Sequence, residues 1–115
     1  MNTNNQVAEV SLDAKFASGE SKQVLLRIYR PQPGVRGDYV CPVQIVGLGL
    51  CGDDAMEIPG IDPWHAFMCG LRFMKEVLSK EAETGTCFEW LGRPIHVNEL
   101  FVAHHIDEEE LESER

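Results

Sequence analysis

A chain of 115 residues holds one ordinary domain rather than two, and a 43% apolar content is enough to build a core, which excludes global disorder. No run reaches the roughly 18 apolar residues that span a bilayer. Met1-Asn2-Thr3-Asn4-Asn5-Gln6 has neither the basic nor the apolar stretch of a secretory leader, so a cytoplasmic, non-membrane protein is expected. The formal charge of −9 is uneven: Asp107 to Arg115 carries −5 and the remainder −4. No basic stripe stands ready to displace phosphate counterions, so nucleic acid is not expected as a ligand, whereas a basic protein is.

After a disordered start over 1–6, residues 7–16 alternate strictly. Ala8, Val10, Leu12, Ala14 and Phe16 share one face and Glu9, Ser11, Asp13 and Lys15 the other, the period of a strand with one wet side. Ala17-Ser18-Gly19-Glu20-Ser21 makes the turn. A second strand follows from Lys22 to Arg30, with Val24, Leu26 and Ile28 inward, so the two read as an antiparallel hairpin. Two prolines and two glycines over Pro31–Asp38 break the pattern. A third strand then spans Tyr39 to Leu48, and Pro42, which has no N–H to donate, places it at a sheet edge or marks its first residue or a bulge. Gly49 to Gly60 reads as a long loop.

The strongest local signal is a helix start. Asp62 suits the N-cap and Pro63 the first helical position, where its missing donor costs nothing. Ile61 precedes them as an apolar staple, and the helix runs to about Glu83 with Gly85 as its C′ residue. At 100° per residue, Trp64, Phe67, Met68, Leu71, Lys75, Leu78 and Ala82 form a stripe, widened by Ala66, Gly70, Phe73, Met74 and Val77. That arc exceeds what packing on one sheet needs, so a loop, the C-terminal strands or a second subunit is expected to cover its flank. Thr86 to Trp90 reads as a strand, Leu91-Gly92-Arg93-Pro94 as a turn, Ile95-His96-Val97 as a return, and Leu100 to Ile106 as a last apolar segment. From Asp107 to Arg115 the tail is too charged to pack. The expected architecture is α+β: one domain over 7–106, an antiparallel sheet of four to five strands packed on one long helix in β-β-β-α-β-β order.

Four features invite chemical readings. Gly47-Leu48-Gly49-Leu50-Cys51-Gly52 matches a dinucleotide fingerprint, but Asp53 and Asp54 would repel phosphate and no helix opens for ten residues, so it reads as a strand exit. His65 and Cys69, one helical turn apart, have chelating spacing, and a metal would need more ligands from His96, His104, His105 or Cys87. Cys41, Cys51, Cys69 and Cys87 are dispersed, without any C-x-x-C pair, and read as free thiols with no context that activates a nucleophile. The aromatic residues read as core, with Trp90 and Tyr39 the best placed to reach an interface. Neither a cofactor nor a metal is expected.

Tyr39-Val40-Cys41-Pro42-Val43-Gln44-Ile45-Val46-Gly47-Leu48, then Gly60-Ile61-Asp62-Pro63-Trp64-His65-Ala66 opening the helix, and later Phe88-Glu89-Trp90-Leu91-Gly92, resemble a family of short uncharacterised bacterial domains. Members join a Cys-Pro strand ending in Gly to a Gly-hydrophobic-Asp helix start and a late Trp strand. Pro63-Trp64-His65 and the acidic tail depart from that pattern. The resemblance implies the fold and the helix start and transfers no catalytic residue.

The function expected is a non-catalytic protein-binding domain, in its most concrete form an immunity protein that neutralises a basic bacterial toxin. The contact surface would be the wet face of the first three strands, with Arg27, Tyr29 and Gln44, together with Asp53, Asp54 and Glu57. The alternatives are a homo-oligomeric (in the simplest case dimeric) structural or regulatory module and a small metal-dependent enzyme built on His65 and Cys69.

Overall fold

Alternation of apolar and polar side chains makes β1 (Gln6–Lys15) and β2 (Ser21–Tyr29) an antiparallel hairpin in a computed structural model, which describes residues 5–49 and 54–102. Gly19 N–H donates to the Phe16 carbonyl at 2.9 Å to close the turn, and Gly19 takes φ +92°, a conformation open to glycine. Leu12, Ala14, Val24, Leu26 and Ile28 are buried, while Ala8, which shares their parity, is exposed beside an irregularity between Gln6 and Ala8. β1 starts at Gln6, and the Asn5 carbonyl accepts from Arg30 N–H at 2.7 Å, so order extends into the segment expected to lack it.

β4 (Tyr39–Val46) pairs with β2 through Leu26↔Ile45 and Ile28↔Val43. On the other side of β4 runs β5 (Met56–Gly60), since Val43 is matched with both Ile28 and Met56. A two-residue β3 (Gln32–Pro33) prolongs the line of β2 along β4. β6 (Cys87–Trp90) joins β1 through Ala14↔Phe88, and β7 (Arg93–Ile95) returns on β6. α1 (Pro63–Glu83) packs on one face of this sheet, and α2 (Val97–Leu100) follows β7.

The α+β class is as expected, but the sheet has seven antiparallel strands rather than four or five, and the order becomes β-β-β-β-β-α-β-β-α. The stretch read as a loop from Gly49 to Gly60 contains β5. Its Pro59 and Gly60 are poor strand formers, tolerated because β5 lies at an edge. The turn expected over Leu91–Pro94 narrows to Leu91 and Gly92, at φ +55° and +78°, so Arg93 and Pro94 already belong to β7. The expected return strand ends at Ile95, and Val97–Leu100 forms a short helix; most of the last apolar segment, Ala103 onward, and the acidic tail lie outside the described residues. The edge strands β5 and β7 each carry a charge and a proline, Glu57 with Pro59 and Arg93 with Pro94, the combination that discourages edge-to-edge association.

β4 is not an edge strand, which corrects the reading of Pro42. Pro42 is buried one residue past the last β2–β4 pair, opposite Glu57 of β5. Arg30 N–H points to the β1 side, so by alternation the Tyr29 carbonyl faces β4, where Pro42 has no donor to offer. The Cys41 thiol supplies one, with its Sγ 3.5 Å from the Tyr29 carbonyl. Burial foremost, and the neighbouring Cys69 second, push this thiol up from 9.0 to about 11. The unfolded chain releases the proton near pH 9 and the folded chain near 11, so the stability tied to the neutral thiol is whole below pH 9 and is lost as pH rises through that window. Urea unfolding across it should show a loss of about 2–3 kcal/mol that Cys41→Ala abolishes; equal slopes would contradict the assignment.

α1 begins and ends as its sequence implies. Asp62 Oδ1 accepts His65 N–H at 2.7 Å, Pro63 takes the first position, and Gly85 at φ +99° donates to the Ala82 carbonyl at 3.0 Å. The buried row is Ala66, Gly70, Met74 and Leu78, small residues first and large ones after. A Cβ on Gly70 would lie 3.0 Å from Cys41 Sγ and 3.1 Å from Val43 Cγ1, so the front of the helix lies hard against β4. Farther along, Met74 and Leu78 fill a wider gap. Among the described residues no helix is long and apolar enough to cross a membrane.

Candidate functional site

The His65–Cys69 pair belongs to the helix start. His65 Nδ1 accepts Ile61 N–H at 2.9 Å, and Nε2 faces Cys69 Sγ at 3.5 Å. A backbone N–H can only donate, so Nδ1 is unprotonated and the neutral ring carries its proton on Nε2, directed at sulfur. A metal on Nε2, or the imidazolium of a Cys–His nucleophilic pair, would put a proton on Nδ1 and break the bond to Ile61. The ring thus acts like the third residue of a capping box, reaching back one residue beyond the N-cap. α2 uses the same device, with Glu99 Oε1 accepting His96 N–H at 3.1 Å.

Among the described residues no three His, Cys, Asp or Glu side chains are grouped to hold a metal; His104 and His105 lie outside them. His65→Ala should therefore destabilise the fold by about 1 kcal/mol in urea titration, whereas an unchanged or raised stability would contradict a clamp role.

The glycine-rich motif after β4 also resolves into a local role. Gly47, at φ +108°, lets the chain pass a backbone oxygen, since a Cβ there would lie 2.5 Å from the Gln23 carbonyl; Leu50, Cys51 and Gly52 lie outside the described residues. The helix opens only after β5, so no phosphate-binding turn forms over the described part of that motif.

Of the residues expected to meet a partner, Arg27, Tyr29 and Gln44 come together on the outer sheet face. Gln44 Oε1 accepts from Tyr29 OH at 3.1 Å and Arg27 Nη1 at 3.3 Å, and Arg27 Nε donates to Glu9 Oε1 at 2.7 Å. Tyr29 is buried, which withdraws it from a contact surface. Asp54 and Glu57 are exposed before and within β5, and Asp53 lies outside the described residues.

Helical periodicity puts Trp64 and Met68 in the apolar stripe of α1, whereas the structure leaves both exposed. Ile61, Trp64 and Met68 are 79%, 75% and 44% exposed. Trp64 and Met68 lie one turn apart on one strip of α1, and Ile61 precedes them just before the N-cap. Trp64 is the decisive member, because a large aromatic residue left mostly in water has a strong tendency to serve at interfaces. Trp90 and Tyr39, the aromatics expected to reach an interface, are half-buried and pack against the core.

Behind this strip the wedge between α1 and the sheet leaves an apolar groove of about 580 Å³, with Val10, Leu26 and Ile28 on the sheet side and Leu71 and Met74 on the helix. Residues of α2 and Trp90 of β6 line it too, so the flank of α1 that asked for a cover is met in part by α2 and the C-terminal strands.

No family model, curated protein or solved structure matches this chain. The site therefore rests on geometry alone.

Proposed function

We propose that this chain is a non-catalytic protein-binding domain that docks its partner through Ile61, Trp64 and Met68. The observation that carries this reading is Trp64, held 75% exposed on a helix whose start is locked by Asp62 and His65. A rigid aromatic anchor loses little freedom on binding and dominates interface energetics. Two groups that could perform chemistry have local structural roles instead: the His65 ring serves Ile61 and the Cys41 thiol serves Tyr29. An immunity-type inhibitor of a basic toxin is one concrete form of such a domain.

Affinity capture from lysate of the producing cell, with the wild type and Trp64→Ala in parallel and proteins identified by mass spectrometry, tests the reading. A polypeptide of different sequence retained by the wild type and lost from Trp64→Ala is expected. Identical capture by both would sink it. A wild-type dimer that Trp64→Ala renders monomeric in size-exclusion chromatography would turn it into the homo-oligomeric alternative.

A further inference from the structure

The groove between α1 and the sheet is lined by Ala8, Glu9 and Val10 in succession. Side chains of a strand alternate between its two faces, so three consecutive residues meet one space only where the edge of the strand is open. The hydrogen bonds place that opening. Phe16 N–H donates to the Glu20 carbonyl at 2.8 Å, so Phe16, and by alternation Ala14, Leu12, Val10 and Ala8, turn their main-chain groups toward β2. The odd positions turn the other way, where Lys15 meets Cys87 and Asp13 meets Glu89 of β6. Continued, that register puts Ser11 level with the Leu91–Gly92 turn and Glu9 beyond it. The Glu9 side chain lies on the outer face, held by Arg27 at 2.7 Å. What Glu9 offers the groove is therefore its N–H and C=O, which are paired with no described residue.

The geometry points to a binding site for a small uncharged N-acyl amino-acid derivative with an apolar body. Its N–H and C=O, flanking one carbon, pair with the C=O and N–H of Glu9 as a neighbouring strand residue would, and its apolar parts fill the groove. A volume of about 580 Å³ is in the range of small-molecule sites, which join apolar walls to a few placed polar groups. An acid is disfavoured, because the only charged side chains among the described lining residues are the carboxylates Glu9 and Glu99. A longer strand is disfavoured as well. The irregularity between Gln6 and Ala8 breaks the edge on one side and the Leu91–Gly92 turn limits it on the other, and short, interrupted edges resist strand addition. Trp64 does not line the groove, so this site is independent of the protein-docking strip.

Titration of the full chain with N-hexanoyl-leucine methyl ester, followed by methyl and amide NMR, tests the assignment. One-to-one saturation is expected, moving the Val10, Leu71 and Leu100 methyls and the Glu9 amide proton while the Ile61 methyls stay in place. The N-methylated probe, which has no N–H to donate, should bind about fivefold more weakly. The free acid should bind about tenfold more weakly. Val10→Phe and Leu71→Phe fill the groove from opposite walls, and each should abolish binding while melting near the wild type.

Absence of saturation overturns the inference, as does equal affinity of the free acid or the N-methylated probe, or undiminished binding to both filled variants. Tighter binding of an acetylated Val/Ser heptapeptide would make the edge a strand-addition site and overturn it too. Groove methyls that shift when the free protein is diluted would put a second copy there, with the same consequence. None of these results touches the protein-binding reading, which stands or falls on Trp64.

Discussion

Gly60→Ala should remove a large share of the domain's stability and lower its melting temperature by well over ten degrees. Gly60 ends β5 and is buried beneath the first turn of α1. A Cβ there would overlap the backbone N and Cα of Ala66 and come within 2.8 Å of the Ala66 Cβ. The obstacle is backbone held in the opening helical turn, where Ala66 N–H donates to the Asp62 carbonyl at 2.9 Å, so no rotamer change relieves it. Overpacking of a well-filled site costs about 1–3 kcal/mol when side chains can shift, and a fixed obstacle puts this substitution at or above the upper end. Domains of this size have roughly 5–15 kcal/mol in total, so a large share of the stability is lost. Adding Ala66→Gly should not rescue the variant, because it removes only the Cβ contact. Circular dichroism melts of the single and double variants check both statements, and a melt within a few degrees of wild type would show that β5 and α1 are not in that close contact.

Leu78→Ala should rank next. Leu78 is completely buried in the core cluster that also holds Leu12, Val24 and Phe88, and it fills the wide end of the wedge between helix and sheet. Truncation of a core leucine costs about 2–5 kcal/mol, the transfer term plus the cavity left behind. For a chain of this length that corresponds to a fall of roughly 10–25 °C in melting temperature. Leu71→Ala is the control. Leu71 is half-buried beside the groove, where water already reaches, so its truncation should cost well under half as much. Equal losses at the two positions would mean that the groove is closed in solution.

The sequence is most legible where a single residue type has one physical use. Asp62 followed by Pro63 announces a helix start, Gly85 its end, and the alternation from Ala8 to Ala14 a strand, and all three stand in the structure. It is least legible where short pieces depend on neighbours. β3 and β5 exist because β4 offers a partner on each side, while their own Pro33, Pro59 and Gly60 speak against strands. α2 is too short for its period to register, and its stabilising contact is a single carboxylate reaching back to His96.

The candidate site was hidden in the sequence for an instructive reason. Ranking the helix by hydrophobicity centres the buried stripe on Trp64, Phe67, Met68 and Leu71. The true contact row runs through Ala66 and Gly70, because a helix comes closest to a sheet where its side chains are smallest. That offset turns Trp64 and Met68 out to solvent. The wide apolar arc holds a core row, a flank met in part by α2, and an exposed strip that nothing among the described residues covers. Arg27, Tyr29 and Gln44 were legible as a group on one sheet face, and the structure shows that they are bonded to one another.

The central claim concerns which surface engages another protein, and site-specific photocrosslinking measures it most directly. A benzoylphenylalanine is placed at position 64 in one preparation and at position 11, on the outer sheet face, in another, and both are irradiated in lysate of the producing cell. The account predicts a covalent adduct to a different, basic polypeptide from position 64 and none from position 11. An adduct from position 11 with position 64 silent would contradict it.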